Sequence, residues 1–289
     1  MTVKVYTLNA FAKTAGGGNP AGVVLDAGEL SASQMKSVAK KVGFSVTAFM
    51  QKSEKADFNV RFFTPAEEVD LCGHATVAAF SLLAQKKILP AGVYTQATKA
   101  GLLEVEIRKD NVIFMTQTKP CFFEDVDKEM LAESLNISVD YIAEKIPAKI
   151  ISTGLRDIII PVNTLEQLFS IKPDFEKVAE ISKKTDAVGY HVFTLKSKYS
   201  STAHCRNFAP LYDIPEEAAT GTSSGALASY LYQYGLVTAE DVGNLVFEQG
   251  YSMNRPSEIL AGLTVQNKEI TEVKVGGVSA DIKEIKIEI

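Results

Sequence analysis

The sequence predicts an α+β chain made by internal duplication, two halves that each wrap short strands around one buried helix. Three observations carry this. Arg61-Phe62-Phe63-Thr64-Pro65 leading to Gly73-His74-Ala75-Thr76 is matched by Arg206-Asn207-Phe208-Ala209-Pro210 leading to Gly221-Thr222-Ser223-Ser224, at a nearly constant interval of about half the 289 residues. A repeat this long means two copies of one fold, because a solenoid needs three or more short units. Two segments, 75–84 and 226–232, are apolar nearly all round, the pattern of a helix buried inside a domain. The runs around them are short, β-branched and broken by turn residues, as strands wrapping a helix require.

The elements follow in order. Residues 3–9 read as a strand, Gly16-Gly17-Gly18 as a turn, and 21–25 as a second apolar run. Ser31-Ala32-Ser33-Gln34 is a capping box, in which the serine accepts from the glutamine backbone while the glutamine side chain returns the bond. It starts a helix through Met35, Val38 and Ala39, and strands at 47–51 and 58–63 follow. The second half repeats the order with a strand at 158–162, a helix begun by Asp174 through Val178 and Ile181, and a strand at 190–195. Ala39-Lys40-Lys41 parallels Ser182-Lys183-Lys184. Gln117-Thr118-Lys119-Pro120 marks the boundary, giving domains at 1–118 and 119–289. Segment 273–289 alternates around Gly276-Gly277 as closing strands, the last of which can return to the first domain.

The length suits two domains of typical size. A net charge of −5 with interspersed signs leaves no basic stripe, so neither nucleic acid nor an anionic membrane surface is an expected partner. The amino terminus alternates like a strand and lacks the apolar core of a signal peptide, and no run reaches the roughly 18 apolar residues of a span. A cytoplasmic protein is expected. Cys72, Cys121 and Cys205 are odd in number, lack paired zinc spacing, and have only three histidines beside them. No disulfide and no metal are expected.

Both apolar helices begin at small residues, Gly73 and Gly221. The first N–H groups of a helix lack partners and carry the positive dipole end, so a carboxylate is stabilised there without a charged side chain. Ordinary capping by Thr220 and Thr222 is the plainer explanation for one such start, and the duplication argues against it for both. If the halves face each other, both starts open into one cleft. His74 titrates in the range of a proton carrier, although a lone histidine is often structural. Glu216-Glu217 stands just before the second helix, either as a surface acidic pair or as the partner of His74 in an acid/base pair. Cys72 precedes Gly73 at a helix start, where a thiol's pKa tends to fall, and a buried apolar cysteine is the alternative. Gly16-Gly17-Gly18-Asn19-Pro20 lacks the lysine and spacing of a phosphate loop, so it is read as a turn bringing Asn19 toward the cleft.

At these residues the chain resembles the PhzF-like phenazine-biosynthesis family, within the diaminopimelate epimerase-like fold. The resemblance covers essentially the whole chain through Gly17-Gly18-Asn19-Pro20-Ala21-Gly22-Val23-Val24, Phe63-Thr64-Pro65, Glu68 to Thr76, Arg206 to Gly221, and Met253 with Arg255-Pro256-Ser257. It implies two pseudo-symmetric domains, each a β-barrel-like, mostly antiparallel sheet around a central helix, with an active-site cleft between them and a homodimer. It implies an isomerase that moves a hydrogen within a cyclic hydroxylated amino-diene acid, using no metal and no organic cofactor. Ligand contacts then fall at Asn19, Ser45, Gly73, Gly221 and Thr222, and proton transfer at His74 and Glu217. The family's main proton carrier is a glutamate in a Ser-Glu-Thr-Ala-Phe motif, and this chain reads Ser45-Val46-Thr47-Ala48-Phe49. Val46 cannot carry a proton, which removes a contribution of roughly 100- to 10,000-fold. The family's Glu-Asp-Pro-Ala-Thr-Gly-Ser is Glu216 to Thr222 here, keeping a carboxylate at Glu217 and a hydroxyl at Thr222. Related epimerases use two cysteines, of which Cys72 matches one while Thr220 stands at the other.

Three functions are therefore expected, in order. The first is a metal-free and cofactor-free isomerase-like enzyme acting on a small cyclic or amino carboxylic acid. The second is a catalytically silent metabolite binder, motivated by Val46. The third is a one-base, cysteine-dependent epimerase through Cys72. Glu67, Glu68 and Asp70 remain open as replacements for the missing glutamate.

Overall fold

A computed structural model describes residues 1–197 and 201–289. It divides into two compact units, residues 1–116 with 276–289, and residues 117–275. The sequence division places 276–289 in the second domain apart from a returning strand, whereas the whole of this segment groups with the first. The reason is β pairing, given below.

The first unit runs β1 (Thr2–Ala10), β2 (Asn19–Val24), α1 (Ala32–Val42), β3 (Thr47–Gln51), β4 (Phe58–Phe63), β5 (Glu68–Val69), α2 (Gly73–Gln85), β6 (Gly92–Thr98), β7 (Gly101–Ile107) and β8 (Ile113–Gln117). The second runs β9 (Cys121–Asp125), α3 (Lys128–Leu135), β10 (Lys149–Ser152), β11 (Arg156–Pro161), α4 (Leu165–Ser170), α5 (Phe175–Lys184), β12 (Gly189–Thr194), β13 (Ala203–Ala209), β14 (Ile214–Glu217), α6 (Gly221–Gln233), β15 (Leu245–Gln249) and β16 (Ser257–Gln266). β17 (Glu269–Gly277) reaches the division, and β18 (Ser279–Glu288) belongs to the first unit. There it pairs antiparallel with nearly all of β1, from Thr2 opposite Glu288 to Ala10 opposite Ser279.

Register repeats the sequence duplication. β2 lies parallel to β3 with Gly22 opposite Thr47, and β11 lies parallel to β12 with Ile158 opposite Tyr190. β3 is antiparallel to β4 with Phe49 opposite Arg61, and β12 is antiparallel to β13 with Val192 opposite Arg206. β4 and β13 then each take a short antiparallel strand, β5 or β14, and a parallel one, β6 or β15. Parallel pairs need a crossover, which α1 supplies in one unit and α4 with α5 in the other. The remaining pairs are mostly antiparallel, consistent with an α+β fold.

Local sequence places the helices. Ser31 accepts from the Gln34 backbone at 3.3 Å while Gln34 Oε1 accepts from the Ser31 N–H at 2.9 Å, so α1 begins at the capping box. It buries Met35, Val38 and Ala39 against Val3, Val5, Phe49 and Phe63. α5 starts where Asp174 accepts from the Lys177 N–H. It buries Val178 and Ile181 in a core with Leu131, Leu135, Ile158, Ile160 and Tyr190. α2 and α6 differ from these amphipathic helices, being buried on every side, from Ala75 to Ala84 and from Ser223 to Leu231. α2 packs on β1, β2, β3, β7 and β18, and α6 on β10, β11 and β16. Each is the central helix of its unit.

The arginines that reveal the repeat do the same work twice. Arg61 donates to Glu68 through Nε at 2.7 Å and Nη2 at 2.9 Å, and lies over Phe63. Arg206 donates to Glu216 through the same two groups, both at 2.9 Å, and lies over Phe208. Bidentate arginine pairs of this kind fix geometry as well as charge. Each pins the short strand that leads into a central helix.

Candidate active site

In the first unit, β5 and the turn after it deliver Cys72 as the residue before α2, and no side chain caps the helix there. The Cys72 carbonyl is occupied, accepting from the Thr76 N–H at 3.0 Å and the Thr76 hydroxyl at 2.9 Å. His74, on the first turn, is half-buried, with its ring 3.4 Å (Nδ1) and 3.7 Å (Nε2) from Cys72 Sγ. Its Nε2 is 3.4 Å from the hydroxyl of Ser45. Desolvation pushes the imidazole down to about 4, so it is neutral at physiological pH. Ser45, Cys72 and His74 are therefore one cluster.

Val46 follows Ser45, 7 % exposed, with its carbonyl accepting from the Gly22 N–H. Asn19 is also buried, opening β2 opposite Ala10. Gly18 makes that turn possible: its φ is +80°, and a Cβ would sit 2.5 Å from the Ala10 carbonyl oxygen. Of Glu67, Glu68 and Asp70, the three carboxylates left open by the sequence, Glu68 is engaged. Arg61, first, and Lys99 at 3.0 Å hold it down to about 2.

In the second unit, α6 starts the same way, with Thr220 before it and no side-chain cap. The capping explanation from Thr220 fails because its side chain accepts from no N–H of the first turn; its hydroxyl donates to Glu217 Oε2 at 2.7 Å. The acidic pair is also resolved. Glu216 serves Arg206, and Glu217, half-buried, stands with Thr220 at the helix start. The two are therefore not one surface pair, since Glu216 is held by Arg206 and Glu217 by Thr220. Gly221 and Thr222 are half-buried on the first turn.

Beneath that turn lies a polar chain that sequence reasoning missed. Ser223 donates to Asp157 Oδ2 at 2.8 Å, and Asn207 Nδ2 donates to Ser223 Oγ at 3.2 Å and lies 3.3 Å from His191 Nδ1. Asp157 is 2 % exposed. Burial raises its carboxyl to about 7, the Ser223 hydroxyl opposes that, and the charge of Glu217 adds to it. His191 is held down to about 3 by burial. In sequence Asp157 looks like the turn residue before an apolar run. Only the register shows it under α6.

Asp157 is raised in the folded state, so its stability contribution is full below the unfolded value of 3.8 and is lost as pH rises through about 7. An Asp157→Asn protein is expected to gain stability relative to wild type at pH 8 compared with pH 5, read by urea unfolding at both values. An equal difference at both would remove the buried acid from the account.

Among the described residues no group of three or more His, Cys, Asp or Glu side chains is arranged to hold a metal, and Cys72, Cys121 and Cys205 are in no disulfide. No helix of the described residues is long and apolar enough to cross a membrane.

Two similarly folded units, each with a central helix opening on polar side chains, define the epimerase-like class, and known proteins place the chain more closely. A hydroxyproline epimerase from Agrobacterium vitis shares the fold at TM-score 0.62 and 13 % identity, over 100 % of this chain and 93 % of its own. The chain belongs to the phenazine biosynthesis-like (PhzC–PhzF) family, whose model matches residues 8–284. The Bacillus anthracis phenazine biosynthesis protein of the PhzF family superposes at TM-score 0.91 with 31 % identity over 100 % of both chains. An uncharacterized isomerase of Clostridium acetobutylicum is 35 % identical over 283 residues, 94 % of each. The protein is thus isomerase-like in family and epimerase-like in fold.

Proposed function

We propose that this protein is an isomerase that moves a proton on a small cyclic or amino carboxylic acid, with His74 and Glu217 carrying the proton. The observation that supports this best is the Glu217 carboxylate, set by Thr220 at the uncapped start of α6. The start of α6, with Thr222 on its first turn, is then a place to hold a ligand carboxylate through backbone N–H groups, and the start of α2, in the unit that also carries Asn19 and Ser45, is its counterpart in the repeat. Neutral His74 suits the role of a group that can give or take a proton without a standing charge. Such chemistry needs no metal or organic cofactor, and the family resemblance points to a cytoplasmic homodimer.

A second reading is favoured by Val46. An apolar, buried side chain where the family carries its glutamate fits a protein that binds a metabolite and leaves it unchanged. Cys72, 3.4 Å from His74 Nδ1, keeps a one-base thiol reaction as a minor variant of the first reading.

The experiment is incubation of a metabolite extract in deuterated water with wild type, His74→Ala and Val46→Glu proteins, followed by mass spectrometry. A one-unit mass gain in a carboxylic acid that requires His74 is the expected result and names the substrate. A gain with Val46→Glu alone would assign the natural protein to binding.

A further inference from the structure

The family stretch at Met253 and Arg255-Pro256-Ser257 is preceded by a residue that the sequence reading passed over, Gln249, and it reaches the candidate site. Gln249 ends β15 and is fully buried. Its Nε2 donates to the Glu217 carbonyl at 2.8 Å and to Thr220 Oγ1 at 3.1 Å, while its Oε1 accepts from the Thr220 N–H at 3.3 Å. The amide cannot be turned over, since a flip would set its NH2 against the Thr220 N–H and its oxygen against the Glu217 carbonyl. The next residues hold the same loop. Gly250, at φ +81°, lies so close to the Ala218 backbone that a Cβ would sit 2.7 Å from its oxygen, and Ser252 donates to Glu216.

A threonine hydroxyl has one proton. With Oγ1 accepting from Gln249, that proton points to Glu217 Oε2, where the bond is 2.7 Å long. We propose that Gln249 is a positioning residue for Glu217: through Thr220 it fixes a hydroxyl donor on the carboxylate, so that Glu217 enters the reaction ionised, as the group that takes the proton. This rests on the reading of Glu217 as a proton carrier.

The surrounding charges agree with that assignment. From β11, Asp157 is raised to about 7, first by burial and in part by the charge of Glu217. His191 of β12 reaches it only through Asn207 and Ser223 and is uncharged. On β13 and β15, Arg206 is committed to Glu216, and Glu248 to Ser201 and Tyr251.

The test reads the carboxylate directly, without substrate. Carbon-13 titration of glutamate-labelled protein, with the Glu217 signal assigned by its absence in Glu217→Gln, is compared across wild type, Thr220→Ser, Thr220→Val and Gln249→Met. Loss of a hydrogen bond to the charged form is expected to raise the Glu217 midpoint by about one pH unit in Thr220→Val and in Gln249→Met, and to spare it in Thr220→Ser. Circular dichroism confirms folding, and Thr220→Val, being isosteric, stands in if Gln249→Met does not fold. An unmoved midpoint in folded Thr220→Val overturns the proposal. The acid limb of deuterium incorporation from deuterated water into the metabolite extract is expected to move with the midpoint. If the midpoint moves and the limb does not, the hydrogen-bond relay stands and the reading of Glu217 as the proton carrier is what fails.

Discussion

Glu217→Gln is expected to lower proton exchange into the ligand by roughly 100- to 10,000-fold, the usual worth of a positioned acid or base. The substitution is nearly isosteric, so the loss would be chemical. The glutamine oxygen can still accept from Thr220, β14 keeps its pairing with β13, and Arg206 keeps Glu216. What goes is the only change in that loop that matters to a base, a carboxylate able to hold a proton. Ligand affinity, dominated in this reading by backbone N–H groups at the helix starts, should fall far less, so the loss is expected in kcat more than in KM. A protein retaining wild-type exchange would move the base elsewhere, with Cys72 and His74 next in order.

Arg206→Met is expected to cost about 3 kcal/mol in urea unfolding, several times the cost of Arg61→Met, for which about 1 kcal/mol is expected. The two arginines are equivalents in the repeat, so the comparison isolates environment. Arg206 is 8 % exposed and Arg61 27 %. Arg206 also donates to the carbonyls of Leu168 at 3.1 Å and Ile171 at 2.8 Å, tying α4 and its exit to β13. Its loss takes the guanidinium from a largely buried carboxylate, leaving it the Ser252 hydroxyl, and removes a donor from two carbonyl oxygens, and buried groups that lose their partners cost desolvation. Glu68 loses less, because Lys99 remains at 3.0 Å. Equal losses for the two variants would mean that water reaches the Arg206 pocket.

The repeat made the fold legible. Matched strand and helix-start motifs announce two copies of one unit, the capping box fixes the start of α1, and all-round apolarity separates α2 and α6 from surface helices. The site was legible only where one residue acts with its chain neighbours. His74 and Cys72 stand two positions apart and meet across one turn. Local pattern left Glu216 and Glu217 as one acidic pair and only the family resemblance singled out Glu217, because strand alternation sends the two to different partners and the Arg206 register alone says which. Asp157 and Gln249 escaped notice for the same reason. Their roles come from β11 and β15 lying under one loop, and no local pattern encodes that. Val46 is the reverse case, evident from a motif while its burial adds little.

The pairing of β1 with β18 has a consequence for synthesis. A ribosome delivers β1 first and its partner only after all of residues 117–275 has emerged. The second unit is continuous in sequence and can fold while still tethered. The first must wait with one flank of β1 exposed, and its completion is the final event of folding. Removal of β18 is therefore damage to the unit that holds β1, and until β18 arrives a nascent chain is open to aggregation along that unpaired flank of β1.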